Sequence, residues 1–167
     1  MNEMRCFIGM HVAEPGRIAM VQERLDPGNF RLTGTDNIHL TLVFLGDILE
    51  QRAHQICEIL EKSGLDNLVV KPARIIGLPS NKNARVVALV VENEHLPEYH
   101  DRICKSLHFH DDRKFIPHIT IARARKPMNI EGWLGSVGEL GEQLFLERPT
   151  LYRSTLTQQG PIHEKIC

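Results

Sequence analysis

Two short motifs in this sequence each place a histidine beside a threonine. His39-Leu40-Thr41-Leu42 and His118-Ile119-Thr120-Ile121 alternate polar with apolar residues, and each lies in a run of β-favouring residues. In a strand, side chains two residues apart share a face at about 6.5 Å, so each motif presents an imidazole and a hydroxyl together. Two imidazoles that face one cavity can remove one proton and donate another at neutral pH. The pattern is typical of acid–base chemistry.

Displacement at phosphorus uses both proton transfers at once. One neutral imidazole takes a proton from the attacking water, and an imidazolium on the opposite side protonates the departing oxygen. The hydroxyls of Thr41 and Thr120 can donate hydrogen bonds to the non-bridging oxygens, which hold negative charge in the transition state. The sequence has no His-Glu-x-x-His motif and no glycine-rich phosphate loop. The motifs therefore predict His39 and His118 as catalytic residues of a phosphoester enzyme with no metal and no cofactor.

The spacing of the motifs indicates an internal duplication. A single His-x-Thr in a strand is usually only solvated or hydrogen-bonded. Here two copies lie 79 residues apart, and the strand-like runs that precede them, residues 6–12 and 85–91, start at the same separation. Repetition of a whole strand pattern at one period is typical of duplicated units. We therefore expect two related halves whose histidine strands line one cleft.

Apolar periodicity predicts the elements that position the first motif. Gly46 should close the motif strand, and Asp47 and Glu50 have the spacing of a helix capping box. Gly64 should end the helix that follows. The predicted elements of this half are a strand at 6–12, a helix through Ile18, Val21 and Leu25, the motif strand at 37–45, a helix over 49–64 with its apolar stripe, and an edge strand at 68–78 interrupted by Pro72.

The second half repeats this order. Its predicted elements are a strand at 85–91, a helix through Leu96, Tyr99, Ile103 and Leu107, a loop at 108–114, the motif strand at 115–122, a short helix at 129–134, and one or two strands at 143–156 around Pro149. No linker separates the halves. We predict an α+β fold that comprises residues 1–167 as one domain of two intertwined lobes, in which two antiparallel sheets flank a central cleft and the helices lie outside.

Composition limits the function classes. The chain has 42% hydrophobic and 25% charged residues, with no apolar run near the length that crosses a membrane. A net charge of −1 excludes a broad, positively charged surface for binding nucleic acid, so any contact must involve only a few phosphates. The four cysteines are scattered, which favours reduced thiols over disulfides or a zinc site. We expect a cytoplasmic monomer without membrane contact.

Other residues are candidates for contacts with a ligand. Arg123 and Arg125 follow the second motif, but strict alternation would turn both away from His118 unless the strand bulges near Ala122. Phe7 and Phe44 are candidates for base stacking, although a phenylalanine in an apolar strand is more often part of the core. A metal-binding alternative remains open for one polar loop, at His108, His110, Asp111 and Asp112.

The two motifs resemble the paired His-x-Thr-x motifs of the 2H phosphoesterases, in particular the RNA 2′,3′-cyclic phosphodiesterases, also called 2′-5′ RNA ligases or LigT-like proteins. The likeness extends over almost the whole chain. Besides the motifs, which lie within residues 37–46 and 117–125, it includes the first strand at Arg5-Cys6-Phe7-Ile8 and the final segment at 151–161. At His163 many relatives carry tyrosine, and this difference leaves the contacts of the C-terminal segment open.

The resemblance implies a LigT-like two-lobed fold and metal-free hydrolysis of a terminal 2′,3′-cyclic phosphate to a 2′-phosphate, with reversible 2′-5′ ligation as a related activity. It further implies that His118 acts as the base and His39 as the acid, with Thr41 and Thr120 as phosphate ligands and Arg123 as a further candidate. The expected partners are RNA ends or small nucleotides with a 2′,3′-cyclic phosphate. Two alternatives stay open: a different cyclic phosphate substrate of the ADP-ribose type, and an RNA-end binding module without turnover.

Overall fold

The computed structural model describes residues 2–167 and contains nine strands and four α-helices in that range. A 3₁₀ turn at Thr35–Asn37 precedes the first motif strand. None of the described helices has the length and apolar character needed to cross a membrane. In chain order the elements are β1 Glu3–Ala13, α1 Gly16–Gln22, β2 Phe30–Leu32, β3 His39–Leu49, α2 Glu50–Lys62, β4 Leu68–Pro79, β5 Ala84–Glu92, α3 Leu96–Ser106, β6 His118–Met128, α4 Glu131–Leu134, β7 Leu144–Leu146, β8 Thr150–Thr157 and β9 Gly160–Lys165.

All strand pairings are antiparallel. One set of strands has the order β3-β1-β8-β9 and contains the first motif, and the other has the order β2-β6-β5-β4 and contains the second. The two sets meet where Leu40 of β3 pairs with Ile119 of β6, and β7 pairs with both β1 and β4. The predicted α+β fold with antiparallel sheets is confirmed, and the two sheets are joined into one hydrogen-bonded network.

The strand register supports the internal duplication. Gly9 pairs with Thr41 in the first half, and the residues 79 positions later, Ala88 and Thr120, pair in the second. In both halves the register then shifts by one residue, so that Leu42 and Ile121 are each the extra residue of a β-bulge. The same irregularity at equivalent positions is expected of two copies of one unit.

The apolar residues of the motifs fix the two strands in the core. Leu40, Leu42, Ile119 and Ile121 are buried with the centre of β1, while α2 and α3 cover the core with their apolar faces. Burial of each aliphatic side chain contributes about 1.5–3 kcal/mol. The polar residues of the same strands are thereby held on the opposite face, as the alternation predicted.

Several predicted boundaries are wrong. β3 does not close at Gly46 but continues to Leu49. Gly46, with a left-handed φ of 72°, lies at a shift in the register with β1, and the pairing then continues from Cys6–Gly46 to Glu3–Leu49. Asp47 therefore lies in the strand, and α2 begins at Glu50 without a side-chain cap. The second motif strand begins only at His118, since the preceding Pro117 has no N–H with which to pair. Strands β2 and β9 were not predicted at all.

The prediction of reduced cysteines is wrong for one pair. Cys57 of α2 and Cys167 form a disulfide, with their Cα atoms 5.9 Å apart and a sequence separation of 110. Cys6 and Cys104 are free. The pairing depends on β9, which follows β8 and returns the end of the chain to α2, where Ile166 also donates a backbone hydrogen bond to Leu151. Without that strand the sequence gives no reason to bring the two cysteines together.

Candidate functional site

One cavity contains the polar residues of both motifs. It has a volume of about 920 Å³, and His39, Thr41, His118 and Thr120 all line it. The antiparallel pairing of Leu40 with Ile119 brings the two motif strands side by side, so their polar faces open into the same space. The predicted cleft with two facing motifs is thus present in the structure.

Both imidazoles are held by the same hydrogen bond. The Nδ1 of His39 lies 2.6 Å from the carbonyl oxygen of Asn37, and the Nδ1 of His118 lies 2.6 Å from that of Ile116, two residues earlier in each case. A carbonyl oxygen only accepts, so Nδ1 carries the proton in both rings. When the rings are neutral, each Nε2 has a lone pair that can accept a proton. This arrangement prepares both Nε2 atoms to accept or deliver a proton.

His39 is the more enclosed of the two histidines. Phe7 stacks on its ring at 4.7 Å between centroids, and His163 meets it edge-on at 4.9 Å. The Nε2 of His39 lies 3.0 Å from the hydroxyl of Thr41, which donates to it when the ring is neutral. Burial, with smaller contributions from nearby His163, His11 and His118, lowers the pKa of His39 to about 4. His39 is therefore neutral at pH 7.

His118 has a more open environment. Its hydrogen bond to Ile116 is exposed to solvent, whereas the equivalent bond of His39 is partly buried. Within residues 2–167 its Nε2 makes no hydrogen bond, and no aromatic ring packs on it. The ring of His118 is therefore more accessible to solvent and to a ligand than the ring of His39.

The cavity wall is positively charged although the whole chain is slightly negative. Arg5, Arg31, Arg113 and Arg123 line it, and no Asp or Glu side chain does so among the described residues. Guanidinium groups bind phosphate with planar, paired hydrogen bonds. The local charge therefore suits an anionic ligand, which the net charge of −1 does not reveal.

The β-bulge decides which arginine faces the site. Ile121 and Ala122 are both buried, so the alternation reverses after them and Arg123 lines the cavity with His118 and Thr120. The sequence predicted that Arg123 would face His118 only if the strand bulged near Ala122, and the structure contains this bulge. Arg125 lies outside the cavity and donates from Nε to the carbonyl of Pro27 at 3.2 Å.

The two candidate stacking residues differ. Phe7 is only 4% exposed, and its ring stacks on His39 and on Tyr152, so its faces are occupied by protein. The structure thus contradicts the prediction that Phe7 stacks on a base and makes it a support for His39. Phe44 is 51% exposed, lines the cavity and has the guanidinium of Arg113 5.3 Å from its ring centroid. Its position is compatible with base stacking.

The polar loop after α3 has a different arrangement from that of a metal site. Asp111 lies 3.3 Å from the Nε2 of His100, a buried histidine of α3 that sequence reasoning did not single out, and exposed His110 pairs with Asp112. None of these side chains lines the cavity. From the same loop, Arg113 does reach the cavity, and the sequence offered no signal for it beyond its charge.

His163 is a further cavity residue whose contacts the sequence left open. It lies on β9 beside Phe7 and His39, and burial together with nearby Arg123 lowers its pKa. Its Nδ1 is buried and has no hydrogen-bond partner within residues 2–167. The strand β9 was not predicted, so its contact with His39 could not be either.

Comparisons with known proteins show which family the chain resembles. Residues 11–87 match the family model described as LigT like Phosphoesterase. A protein of Thermotoga maritima named RNA 2′,3′-cyclic phosphodiesterase is 30% identical over 183 residues, covering 96% of this chain and 92% of the relative. One of the same name from Methanocaldococcus jannaschii is 29% identical and covers 98% of both chains.

Solved structures show the same fold. A protein of Thermus thermophilus superposes with a TM-score of 0.80 at 20% identity, covering 98% of this chain and 96% of its own. The crystal structure of E. coli LigT complexed with 3′-AMP superposes with a TM-score of 0.73 at 18% identity, covering 99% and 97%. With a relative 30% identical over nearly its full length, the chain belongs to the LigT-like phosphoesterase family and is a phosphodiesterase.

Proposed function

We propose that this phosphodiesterase hydrolyses terminal 2′,3′-cyclic phosphates of RNA or small nucleotides to 2′-phosphates. The observation that carries the proposal is the matched pair of imidazoles. Each is fixed through Nδ1, which leaves its Nε2 as the atom for proton transfer in one positively charged cavity. Relatives named RNA 2′,3′-cyclic phosphodiesterase and the LigT complex with 3′-AMP support a nucleotide substrate.

The proposed reaction is an in-line displacement at phosphorus. One imidazole takes a proton from water as its oxygen bonds to phosphorus, and the other gives a proton to the 3′ oxygen as the P–O3′ bond breaks. Thr41, Thr120 and Arg123 donate hydrogen bonds to the non-bridging oxygens. Phe44 holds the base by stacking. Every proton is accounted for by the two histidines. When the 5′ hydroxyl of a second RNA end replaces water as the nucleophile, the same step forms a 2′-5′ phosphodiester as the P–O3′ bond breaks.

The protonation state of the free protein favours one order of roles. Buried His39, with a pKa of about 4, is ready to act as the base, which leaves the acid role to the more exposed His118. This order is the opposite of the one that the family resemblance implies. A pH profile does not distinguish the two orders, because both need one protonated and one neutral imidazole; a change of leaving group does.

The deciding experiment is product analysis. The protein is incubated in EDTA with a 2′,3′-cyclic mononucleotide, with an oligonucleotide that ends in a cyclic phosphate, and with an ADP-ribose cyclic phosphate. We expect 2′-phosphate products from the first two. Binding of all substrates without turnover would support an RNA-end binding module instead, and turnover of the ADP-ribose derivative alone would shift the substrate class. Activity that is lost in EDTA and restored by a divalent metal would contradict the metal-free reaction.

A further inference from the structure

The carbonyl groups that hold the two cavity histidines belong to segments with different support. Asn37, whose carbonyl oxygen lies 2.6 Å from the Nδ1 of His39, is part of a 3₁₀ turn and donates from its side chain to the carbonyl of Pro161 at 2.8 Å. Ile116, whose carbonyl oxygen lies 2.6 Å from the Nδ1 of His118, is in the loop between α3 and β6, outside any helix or strand. The second carbonyl therefore needs support of another kind.

The loop between α3 and β6 makes few bonds to the rest of the protein. Within residues 2–167, the hydrogen bonds and ion pairs of residues 110–116 leave the loop at two points. One is the bond between the Ile116 carbonyl and His118, and the other joins Asp111 to His100 of α3. A segment without backbone pairing opens readily unless side-chain contacts hold it. The contact with His100 is thus the bond that ties this loop to a helix.

His100 contacts the loop at two of its residues. It is a buried histidine, 8% exposed, whose Nε2 lies 3.3 Å from the carboxylate of Asp111 and whose ring stacks on Phe115 at 4.5 Å between centroids. The carboxylate of Asp101 lies 3.1 Å from Nδ1, and the thiol of Cys104 lies 3.7 Å from Nε2. A buried ring that stacks and hydrogen-bonds at the same time has a fixed orientation. One imidazole therefore holds the loop at both contacts.

Two groups of the candidate site are attached to these contacts. The backbone N–H of Arg113 donates to the carboxylate of Asp111 at 3.1 Å, and the Arg113 side chain lines the cavity with its guanidinium 5.3 Å from the ring centroid of Phe44. Ile116, whose carbonyl holds His118, directly follows Phe115 in the sequence. A movement of Asp111 or Phe115 would therefore displace a cation of the cavity or the carbonyl behind an imidazole.

We propose that His100 and Asp111 are positioning residues for the second motif: their contact holds the loop so that the Ile116 carbonyl fixes the imidazole of His118 and Arg113 faces the cavity. Neither His100 nor Asp111 lines the cavity, so both act through the loop. The inference rests on the proposed function for its effect on rate, whereas the state of the His118 ring can be observed without a substrate. Misplacement of a reacting group by about 1 Å costs about a hundredfold in rate.

NMR of ¹⁵N-labelled histidine tests the effect on His118 directly. At about pH 8 the ¹⁵N shifts distinguish a neutral ring protonated on Nδ1 from one protonated on Nε2, and the His39→Gln and His118→Gln variants assign the two signals. In the wild type we expect both rings to carry the proton on Nδ1. Asp111→Ala should shift His118 towards the form protonated on Nε2 and leave His39 unchanged. The unchanged His39 signal shows that the fold is intact.

The same loop provides a matched control. Asp112 is the next residue, and its ion pair is with exposed His110, so Asp112→Ala should leave His118 as in the wild type. His100→Phe keeps a ring against Phe115 but removes the bond to Asp111, and it should reproduce the effect of Asp111→Ala. The double variant should be no worse than either single variant, because both remove one contact. If His100→Phe does not fold, Asp111→Ala tests the same contact from the loop.

Kinetics measure what the contact contributes to the reaction. Asp111→Ala and His100→Phe should each lower kcat/KM on a cyclic-phosphate oligonucleotide by about tenfold to a hundredfold, and Asp112→Ala should keep the wild-type value. An unchanged His118 ring or an unchanged kcat/KM in the first two variants, an equal change in Asp112→Ala, or additive losses in the double variant would overturn the inference. If the wild type hydrolyses no cyclic phosphate, the proposed function fails, and the NMR comparison alone decides the inference.

Discussion

The first and second motif strands share a backbone but differ in what surrounds their histidines. Both begin at the histidine, both bulge after the threonine, and both bind Nδ1 to a carbonyl two residues earlier. Around His39 the chain adds Phe7 and His163, whereas Val86 occupies the position equivalent to Phe7 beside β6. One duplicated frame therefore holds two imidazoles in different surroundings, one enclosed by aromatic rings and one open to the cavity.

The different surroundings of the two histidines determine which of them is neutral, although their strands are related by duplication. A displacement needs one neutral and one protonated imidazole, and two identical sites would not determine which is which. The β8–β9 hairpin packs beside β1 and encloses His39, and no hairpin among the described residues does the same for His118. Burial on one side only thus assigns the neutral role to His39 in the free protein.

The largest expected effect comes from removing either imidazole. His39→Ala and His118→Ala should each lower kcat by about 10²- to 10⁴-fold, the range of one positioned proton-transfer group. The double variant should be little worse than the worse single variant, because the two residues serve one concerted step. Rates are measured on a cyclic-phosphate oligonucleotide. Near-normal kcat with weakened RNA binding would contradict catalysis and indicate a phosphate-binding pocket.

A substrate with a p-nitrophenolate leaving group tests which imidazole is the acid. Such a group departs without protonation, so the variant that lacks the acid recovers much of its rate, while the variant that lacks the base does not. If His39 is the base and His118 the acid, His118→Ala should recover much of its rate on this substrate and His39→Ala should not. The opposite result would restore the order implied by the family resemblance, and recovery of both variants would contradict a paired mechanism.

The second effect is a pH dependence of stability that His39 contributes. Its folded-state pKa is lowered from 6.5 to about 4, so the unfolded chain binds this proton at higher pH than the folded chain. The contribution to stability is therefore full above pH 6.5 and is lost as the pH falls towards 4. Between pH 7 and 4.5 we expect it to remove on the order of 2 to 3 kcal/mol from the free energy of unfolding.

Urea unfolding at the two pH values measures this contribution. Between pH 7 and 4.5 the loss in the free energy of unfolding should be about 2 to 3 kcal/mol smaller in His39→Gln than in the wild type. His54→Gln, an exposed histidine on α2, serves as the control and should keep the wild-type loss. An equal loss in His39→Gln and the wild type would show that His39 is not held neutral by burial, and the contrast between the two motifs would disappear.

The sequence was sufficient for the parts of the site that depend on local periodicity. His39, Thr41, His118 and Thr120 follow from alternation in two strands, and the common cleft follows from the repeat. The adjacent apolar residues Leu42-Val43 and Ile121-Ala122 break the alternation, and this break was the available signal for the bulge that directs Arg123 inward. The orientation predicted from the sequence agrees with the structure for the residues whose orientation depends only on the strand that contains them.

Features that depend on contacts between distant segments could not be predicted from the periodicity of the sequence. The enclosure of His39 by His163 and the Cys57–Cys167 disulfide both require β9, a short strand with several exposed residues and little apolar periodicity. Phe7 was a candidate for base stacking because its pattern does not show that Tyr152 and His39 cover its ring. Arg113 reaches the cavity from a loop, where no period exists to predict its direction.

The smallest effect concerns the two threonines, whose hydroxyls differ in the free protein. Thr41 donates to the Nε2 of neutral His39, whereas Thr120 makes no side-chain hydrogen bond within residues 2–167. Thr120→Val should therefore weaken the transition state by about 1.5 to 3 kcal/mol, the value of one hydrogen bond to a charged oxygen. Thr41→Val should cost less, because the hydroxyl must first leave His39 before it can bind phosphate. Valine keeps the shape of threonine, so packing is preserved, and kcat/KM on a cyclic-phosphate dinucleotide measures both. Equal losses would mean that the bond between Thr41 and His39 does not compete with the substrate, and the motifs would then be equivalent at their threonines.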